Sequence, residues 1–563
     1  MSLVTPLLLA SLLVSPPASA TLWEPGALIE DAAVIDVTDD GLDAVGGLIP
    51  ALIPDRVDIP DTSDDGGAYE YSLSGAWAGI TMTDAAIVPQ NGMLTLDADL
   101  LVQLNDAYDP FDLYFEILWV ISDSCDGHVQ PFPAHISVDL ALAVVPVGDG
   151  THRLDATVGA MDVSYDLASE DIILENCSLG YLEQVLNFFG LSIYDLVIDY
   201  ADSAIQDAIG DAAGDIEAMI EDAFASATIN EQLDLNGVLV DMMLSPRDVQ
   251  INPQGLRLLM QGSFATEQAA ECIEAWDPGG SPMTDTEPPA LGAAPSGIPA
   301  DYHAVVLASD DMVNQALYAL WRGGLLCYTI DENFESFPMS TSILGMLDGS
   351  DEDGPFDQLF PENAGMAIVT RPEGQPLANL SGDHDVDITV ETLGLDFFAD
   401  VDGRRAKVLG IDLAADIGAD LVLDGSTGLL EVLLDLSPEN IIPTVTSCEL
   451  TAGAEPLVEA NFGGLLQTIL DAVVGDALSG LSFQLPSFEG LGLSSIDTAA
   501  AGTQADWLGL FANLGPVAYE GGCDDSGGGC GSSGCSGAGA VRAPWLLLAL
   551  GAGLVARRRR REP

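Results

Sequence analysis

In the stretch MLTLDADLLVQL, Leu94, Leu96, Ala98, Leu100, Val102 and Leu104 occupy every second position. A period of two places all six on one face of a β-strand. HISVDLALAVV repeats the pattern through Ile136, Val138, Leu140 and Leu142. Far down the chain it returns in GIDLAADIGADLVLDGSTGLLEVLLDL. There Ile411, Leu413, Ala415, Ile417, Ala419, Leu421 and Leu423 take one side, and Asp412, Asp416 and Asp420 the other. VGDGTH and DGSTG read as turns between such strands. A sheet with one apolar face has to be covered. The chain is therefore committed to antiparallel sheets that bury one side against something else.

Candidate covers stand on either side of these strands. The first half opens with an apolar helix candidate, GLDAVGGLIPALIPDRVDIPDTSD. It closes with the long helical region LGYLEQVLNFFGLSIYDLVIDYADSAIQDAIGDAAGDIEAMIEDAF, where Ile205, Ile209, Ile216, Ile220 and Phe224 recur at near-helical spacing with acids between them. INEQLDLNGVLVDMMLSPRDVQINPQGLRLLMQGSF reads as a run of strands. WDPGGSPMTDTEPPALGAAPSGIPA is dense in Pro, Gly and Ala and reads as an inter-domain linker over 274–300. The second half opens with ASDDMVNQALYALWRGGLL. Ser309 with Asp310 and Asp311 starts a helix, Val313, Ala316, Leu317 and Leu320 form one face, and Gly323 and Gly324 stop it. EPLVEANFGGLLQTILDAVVGDALSGL is the closing helical region. Each half thus reads helix, antiparallel sheet, long helix, over 30–265 and 301–505. A strongly curved sheet wrapped on such helices makes an elongated apolar interior, and a hollow interior would be a slot for a lipid-like ligand.

The chain has 563 residues, too many for one ordinary core, and 48% of them are hydrophobic, which excludes a disordered polyanion. Its 89 acidic residues against 15 basic ones give a formal charge of −74. Such a body is repelled by phosphate backbones, so nucleic acid is excluded as a partner. Six of the basic residues are Arg542 and Arg557 to Arg561. The body keeps Arg56, Arg153, Arg247, Arg257, Arg322, Arg371, Arg404, Arg405 and Lys407.

The two ends carry an address. MSLVTPLLLASLLVSPPASA (1–20) is an apolar stretch before the small-residue pattern Ala18-Ser19-Ala20, as in a signal peptide, although no Lys or Arg precedes it. Near the other end Cys523, Cys530 and Cys535 lie in a Gly/Ser-rich stalk (520–542). Ala543 to Ala556 is an apolar run, and the arginines follow within a transmembrane tail (543–563). As a helix the run is about 21 Å long, short for a span of about 30 Å. The arginines behind it are what holds such a segment on the cytoplasmic side. This order resembles the tripartite sorting tails of bacterial surface proteins, of the myxobacterial type. The resemblance implies export, recognition by a sorting protease, and retention at or release from the cell surface. A plain single-span membrane anchor reads the same residues otherwise, and both readings place the body outside the cytoplasm.

No motif for catalysis emerges, and no cofactor is expected. Asp383-His384-Asp385 with Asp387 has the residue types of a metal corner but reads as a solvated strand start. His128 and His135 are seven apart across two prolines, unlike the helical spacing of zinc hydrolases. Asp348 to Asp357, DGSDEDGPFD, has the carboxylate density of a calcium loop without its order of ligands. There is no phosphate-binding Gly-Lys loop and no Gly-x-Ser-x-Gly elbow. Carboxylate pairs are too common in this chain to mark a glycosidase. A structural or adhesive acidic surface protein, with calcium on its acidic face, is the alternative reading.

Three passages carry a second resemblance. LIPDRVDIPDTSD, LDLNGVLVDMMLSPRDVQINPQGLRLLMQGSF and DYHAVVLASDDMVNQALYALWRGGLLCYTI occur in that order, with the Pro-rich linker between the last two. Together, over roughly residues 35–500, they resemble the bactericidal/permeability-increasing and lipopolysaccharide-binding protein family of tubular lipid-binding proteins. In the third passage Ser309, Asp310, Asn314, Ala316, Gly324 and Leu326 stand in the places of a recurring family pattern. The resemblance implies an α+β fold: two pseudo-symmetric elongated barrels, each a highly curved antiparallel sheet wrapped on long helices, joined by a central sheet. It implies lipid acyl chains held in one apolar pocket per barrel, without catalysis. The expected lining is the helices near Leu48, Leu52, Leu182, Leu186, Val313, Leu317, Leu466 and Leu470. The family's first-barrel disulfide puts Cys177 in a bond, with Cys125 as the expected partner. Cys272 and Cys327 flank the linker and could pair across it, which leaves Cys448 over. The basic tip with which family members grip lipopolysaccharide has no counterpart, since Arg56 and Arg153 are the only fixed cations in the first 240 residues.

Overall fold

The computed structural model describes residues 22–47, 56–65, 69–117, 121–148, 150–165, 167–168, 171–177, 198, 228–235, 238–284, 287–331, 339–347, 354–360, 363–424, 429–448, 450, 452–473, 482–484 and 491–516. Among them the chain is mostly β, in curled half-barrel sheets with few helices.

A seven-stranded sheet joins the two halves. Its spatial order is Ile229–Leu235, Val238–Asn252, Gly255–Ala265, Ile29–Thr38, Ala304–Ser309, Trp507–Pro516 and Leu491–Ala501. All pairs are antiparallel. The seam between the halves is the ladder of Ile29–Thr38 on Ala304–Ser309, with Val34 opposite Leu307. The first half adds two five-stranded sheets. One runs His152–Tyr165, Phe132–Pro146, Met93–Leu104, Trp77–Gln90, Arg56–Asp58. The other runs Ile172–Glu175, Ile121–Val129, Phe111–Ile117, Tyr69–Ser74, Thr62–Asp65. The second half adds an eight-stranded sheet built on Val386–Val401 and Arg404–Asp424. Register shifts at Val390/Leu393, Met82/Asp84 and Val138/Leu140 mark irregularities of the kind that bend long strands and tighten their twist.

The helices differ from expectation. Helix α1, Asp39–Gly46, is capped by the Thr38 hydroxyl, which accepts from the Gly41 N–H, with Asp39 and Asp40 in its first turn. Gly41 packs so close to the His303 carbonyl that a Cβ would come within 2.1 Å of it. The helix expected to continue through Asp64 has given way to strands by Arg56–Asp58 and Thr62–Asp65, because Pro60 cannot sit inside a helix and β-branched Val57 and Thr62 favour extended backbone. The long helical region of the first half lies outside the described residues, apart from Ile198. Sheets wrapped on long helices are therefore not what the described residues form.

Helix α2, Asp310–Arg322, follows its sequence signals closely. Ser309 Oγ accepts from the Met312 N–H, Gly323 is the cap, and Gly324 takes a positive φ of 92°. Two short helices, α3 (Ser342–Leu347) and α4 (Pro355–Leu359), precede the second sheet. Helix α5, Glu455–Val473, is the longest described, at 19 residues. No helix among the described residues is long and apolar enough to cross a membrane. The signal-like segment and the Arg-ended tail lie outside them.

The linker is pinned at two places. Ser281–Pro282 pairs with Leu22–Trp23. Farther on, Ile298 and Tyr302 cover one face of the central sheet, against Val34, Leu259, Val305, Leu307, Trp507 and Phe511. Tyr302 meets Phe511 edge to face at 5.0 Å.

Candidate functional site

The alternation in the sequence is the alternation of burial. Leu94, Leu96, Ala98, Leu100, Val102 and Leu104 are all buried, as are Ile136, Val138, Leu140 and Leu142. Register sets Leu96 beside Val138 and Leu100 beside Ala134, so the inward rows are continuous across strands. In the second half Ile411, Leu413, Ala419 and Leu421 are buried, and Ala415, Ile417 and Leu423 are half-buried.

Two apolar cores line these faces. The larger begins among the strands of the first half, crosses the central sheet and α2, and ends in the second half at Val386, Ile388, Ala419, Leu421 and Val432. A separate core holds Leu395, Phe397, Ile411 and Leu413 with Val458, Phe462, Leu465 and Leu466 of α5. Along one strand the two are separated by the stretch from Leu413 to Ile417, about 13 Å of extended chain. Val390 lies in that interval, opposite Ala415. It is 6% exposed, yet it belongs to neither core among the described residues.

The expected lining residues do not come together. Val313 and Leu317 of α2 are buried in the large core, and Leu466 of α5 in the separate one. Leu470 lies on α5, with its side chain outside the described part, and Leu48, Leu52, Leu182 and Leu186 lie outside the described residues altogether. Helix α2 is buried on all sides from Asp311 to Trp321, so it is a plug at the joint rather than a one-sided wall. Its polar side chains are fasteners. Gln315 Oε1 accepts from the Phe264 N–H at 2.7 Å, and its Nε2 donates to the Ala27 carbonyl at 2.8 Å. Asn314 Oδ1 accepts from the Ala378 N–H at 2.8 Å, and Asp311 Oδ1 from the Thr284 N–H at 2.7 Å. One helix thus binds the first half, the linker and the second half. Sequence analysis saw Asn314 only as a pattern position and missed Gln315.

The charges of the body are spent internally. Eight of its nine cations stand in ion pairs with its own acids. Arg257 and Asp36 form a buried two-point pair in the central sheet, at 2.8 and 2.6 Å. Burial pushes the Asp36 carboxyl above its ordinary value, and the Arg257 hydrogen bond pulls against it. Arg371 sits among Glu373, Asp396 and Asp412. The face thus offers little fixed positive charge to a phosphate.

His384 is bound to strands rather than to a metal. Its Nδ1 is 2.9 Å from Asp420 and its Nε2 3.8 Å from Asp435. The ring lies over Gly418, where a Cβ would come within 2.2 Å of it. Asp385 accepts from the Leu421 N–H and the Thr498 hydroxyl, tying the second sheet to the central one. Among the described residues no group of three His, Cys, Asp or Glu could hold a metal ion. Two disulfides are present, Cys125–Cys177 and Cys272–Cys327. The first ties Ile121–Val129 to the chain leaving Ile172–Glu175, and the second joins the turns at either end of the linker and α2. Cys448 is buried in the separate core.

One further concavity was not foreseen. A cleft of about 620 Å³ opens on the first half, lined by Thr83, Asp99, Leu101, Pro133, His135 and Ser164 over a floor at Leu100, Ala134 and Tyr165. It lies on the solvent side of the sheet, not in the apolar interior.

No family model matches the chain, and no curated protein does. Solved structures do. Lipopolysaccharide binding protein aligns over 87% of this chain and 100% of its own, at 15% identity and a TM-score of 0.52. The fold is shared. P47 of Clostridium botulinum E1 aligns over 87% and 100%, at 8% identity and a TM-score of 0.27. Takeout 1 of Epiphyas postvittana aligns over 30% and 88%, at 13% identity and a TM-score of 0.18. Those last two scores are too low to add to the argument.

Proposed function

We propose that this protein binds lipids or other apolar ligands in its interior and carries out no catalytic step. The observation that carries the reading is the interval between the two cores of the second half. There the inward strand face stays apolar, and among the described residues buried Val390 joins neither core. The fold shared with a lipopolysaccharide binding protein supports it. Binding would rest on hydrocarbon burial, at about 0.8 kcal/mol per methylene, because eight of the nine cations of the body are already paired with its own acids. The two halves, 30–265 and 301–505, would each offer an apolar pocket, with Leu48, Leu52, Leu182 and Leu186 as the expected lining of the first and Leu466 and Leu470 of the second, while Val313 and Leu317 close the joint between them.

The signal-like start, the Cys-bearing stalk and the Arg-ended apolar tail support an exported protein held at, or released from, the cell surface after a sorting protease reads the tail. Native mass spectrometry of protein taken from its own envelope tests the binding reading. Co-purifying lipid, together with saturable uptake of a fluorescent fatty acid, is the expected result. A clean ligand-free mass with no uptake would end it.

A further inference from the structure

We propose that the outer cleft of the first half is a binding site for a neutral saccharide chain, separate from the apolar interior. Strand register builds it. Asp99 stands opposite His135, and His135 opposite Ser164, so the three form one row across three adjacent strands. Neighbouring strands lie about 4.8 Å apart, which spaces the row like a ruler. Leu101 and Pro133, themselves opposite one another, form the facing wall, with Leu101 40% exposed.

The polar wall is rich in acceptors. Asp99 Oδ1 is 2.9 Å from His135 Nδ1, and a carboxylate can only accept, so Nδ1 carries the proton. In the neutral ring Nε2 is then an acceptor. Among the described residues neither Nε2 nor the Ser164 hydroxyl has a partner. The Thr83 hydroxyl donates to the Asp99 carbonyl at 3.0 Å and keeps its own lone pairs for a ligand. Such a wall asks for donors. Asp84, directly beside Asp99 on the next strand, repels any that come with an anion, as does a body of charge −74. Hydroxyl groups meet both conditions. The apolar wall decides between hydroxyls and a hydrated ammonium, since it suits the C–H face of a sugar ring. A volume near 620 Å³ is in the range of small-ligand sites. Asp, His and Ser are also the residues of a charge relay. Here Asp99 and His135 are 61% and 51% exposed and thus solvated, so the row is assigned to binding and not to catalysis.

The test uses the full-length protein with maltohexaose and cellohexaose as probes and tetralysine as the cationic control, followed by NMR of the histidine rings. Saturable movement of the His135 resonances by one of the sugars, without movement of His384, is expected. Ser164→Ala combined with Asp99→Asn should weaken that sugar at least about ten-fold while the melting curve stays that of the wild type. In the unsubstituted protein, the same sugar should slow modification of His135 by diethylpyrocarbonate. No movement by either sugar up to its solubility limit overturns the proposal. So does a tetralysine response at lower concentration than the sugars. Lipid uptake is measured separately and does not bear on either result.

Discussion

Replacing Gln315 with Leu should loosen the joint between the halves, and the size of the effect follows from the ladder. Strands Gly255–Ala265 and Ile29–Thr38 pair antiparallel, with Gly262 opposite Ile29 as their last rung. The next rung would set Phe264 opposite Ala27, but the chain has turned away there. The Gln315 amide stands in that place, accepting from the Phe264 N–H and donating to the Ala27 carbonyl. Gln315 and Phe264 are both buried, so water cannot take over at the Phe264 N–H, while the half-buried Ala27 carbonyl is partly shielded. Leu has a similar volume and neither bond. Each orphaned backbone group costs about 1–3 kcal/mol, so the loss should be about 2–5 kcal/mol. Urea denaturation followed by tryptophan fluorescence reads the loss, and amide exchange at Phe264 locates it. A midpoint shift worth less than about 0.5 kcal/mol, with Phe264 still protected, would mean that Ala27 closes the rung directly. The account of α2 as a fastener would then be wrong.

Other outcomes are expected elsewhere. Val390→Trp fills the interval between the cores with about four methylene-sized groups, worth about 3 kcal/mol of displaced hydrocarbon, so fatty-acid affinity should fall roughly a hundred-fold with the fold intact. Unchanged uptake would move the ligand elsewhere. The hydrogen bond to Asp420, aided by the charges of Asp420, Asp387 and Asp435, holds the His384 pKa above 6.5. Its contribution to stability is therefore complete below about pH 6.5 and is lost as pH rises through the higher folded value. The difference between wild type and His384→Gln in melting temperature should shrink over that window, and NMR titration of the ring gives the folded value. A difference that is constant with pH would contradict the ion-pair account. Removing Cys272–Cys327 with paired serines opens a loop of 55 residues. It should cost at most about 4 kcal/mol by loop-closure entropy, read as a lower urea midpoint in oxidised samples and no difference under reductant.

Much of the scaffold was legible because it obeys local rules. Leu94 to Leu104 face inward because a strand has only two sides and one of them is wet. Ser309, Gly323 and Gly324 bound α2 because caps and stops act over three or four residues. Helix burial was less legible. The face of Val313, Ala316, Leu317 and Leu320 reads as one-sided, but Asp311, Asn314 and Gln315 are as deeply buried as the leucines. Their partners lie 27, 64, 51 and 288 residues away. A polar residue whose partner is that distant looks, in sequence, like a residue that faces water. The linker misleads in the opposite direction: its Pro and Gly content reads as slack, yet Ile298 near its end and Tyr302 just beyond it seat it on the central sheet.

The outer cleft sharpens the same point for function. Asp99, His135 and Ser164 are separated by 36 and 29 positions, and each alone reads as a polar residue on the wet side of a strand. What makes them a row is register, which slips by whole residues and flips every side chain with each odd step. The bulge at Val138/Leu140 sets the register of His135 against Ser164, and the one at Met82/Asp84 leaves Thr83 as the extra residue beside Asp99. Deleting Thr83 leaves Asp84 opposite Asp99, so the row on the other three strands should stay aligned while the Thr83 hydroxyl is lost. If the row is the site, sugar-induced movement of His135 should weaken in that variant but persist, with fatty-acid uptake unchanged. Complete loss would place the site on the bulge rather than on the row.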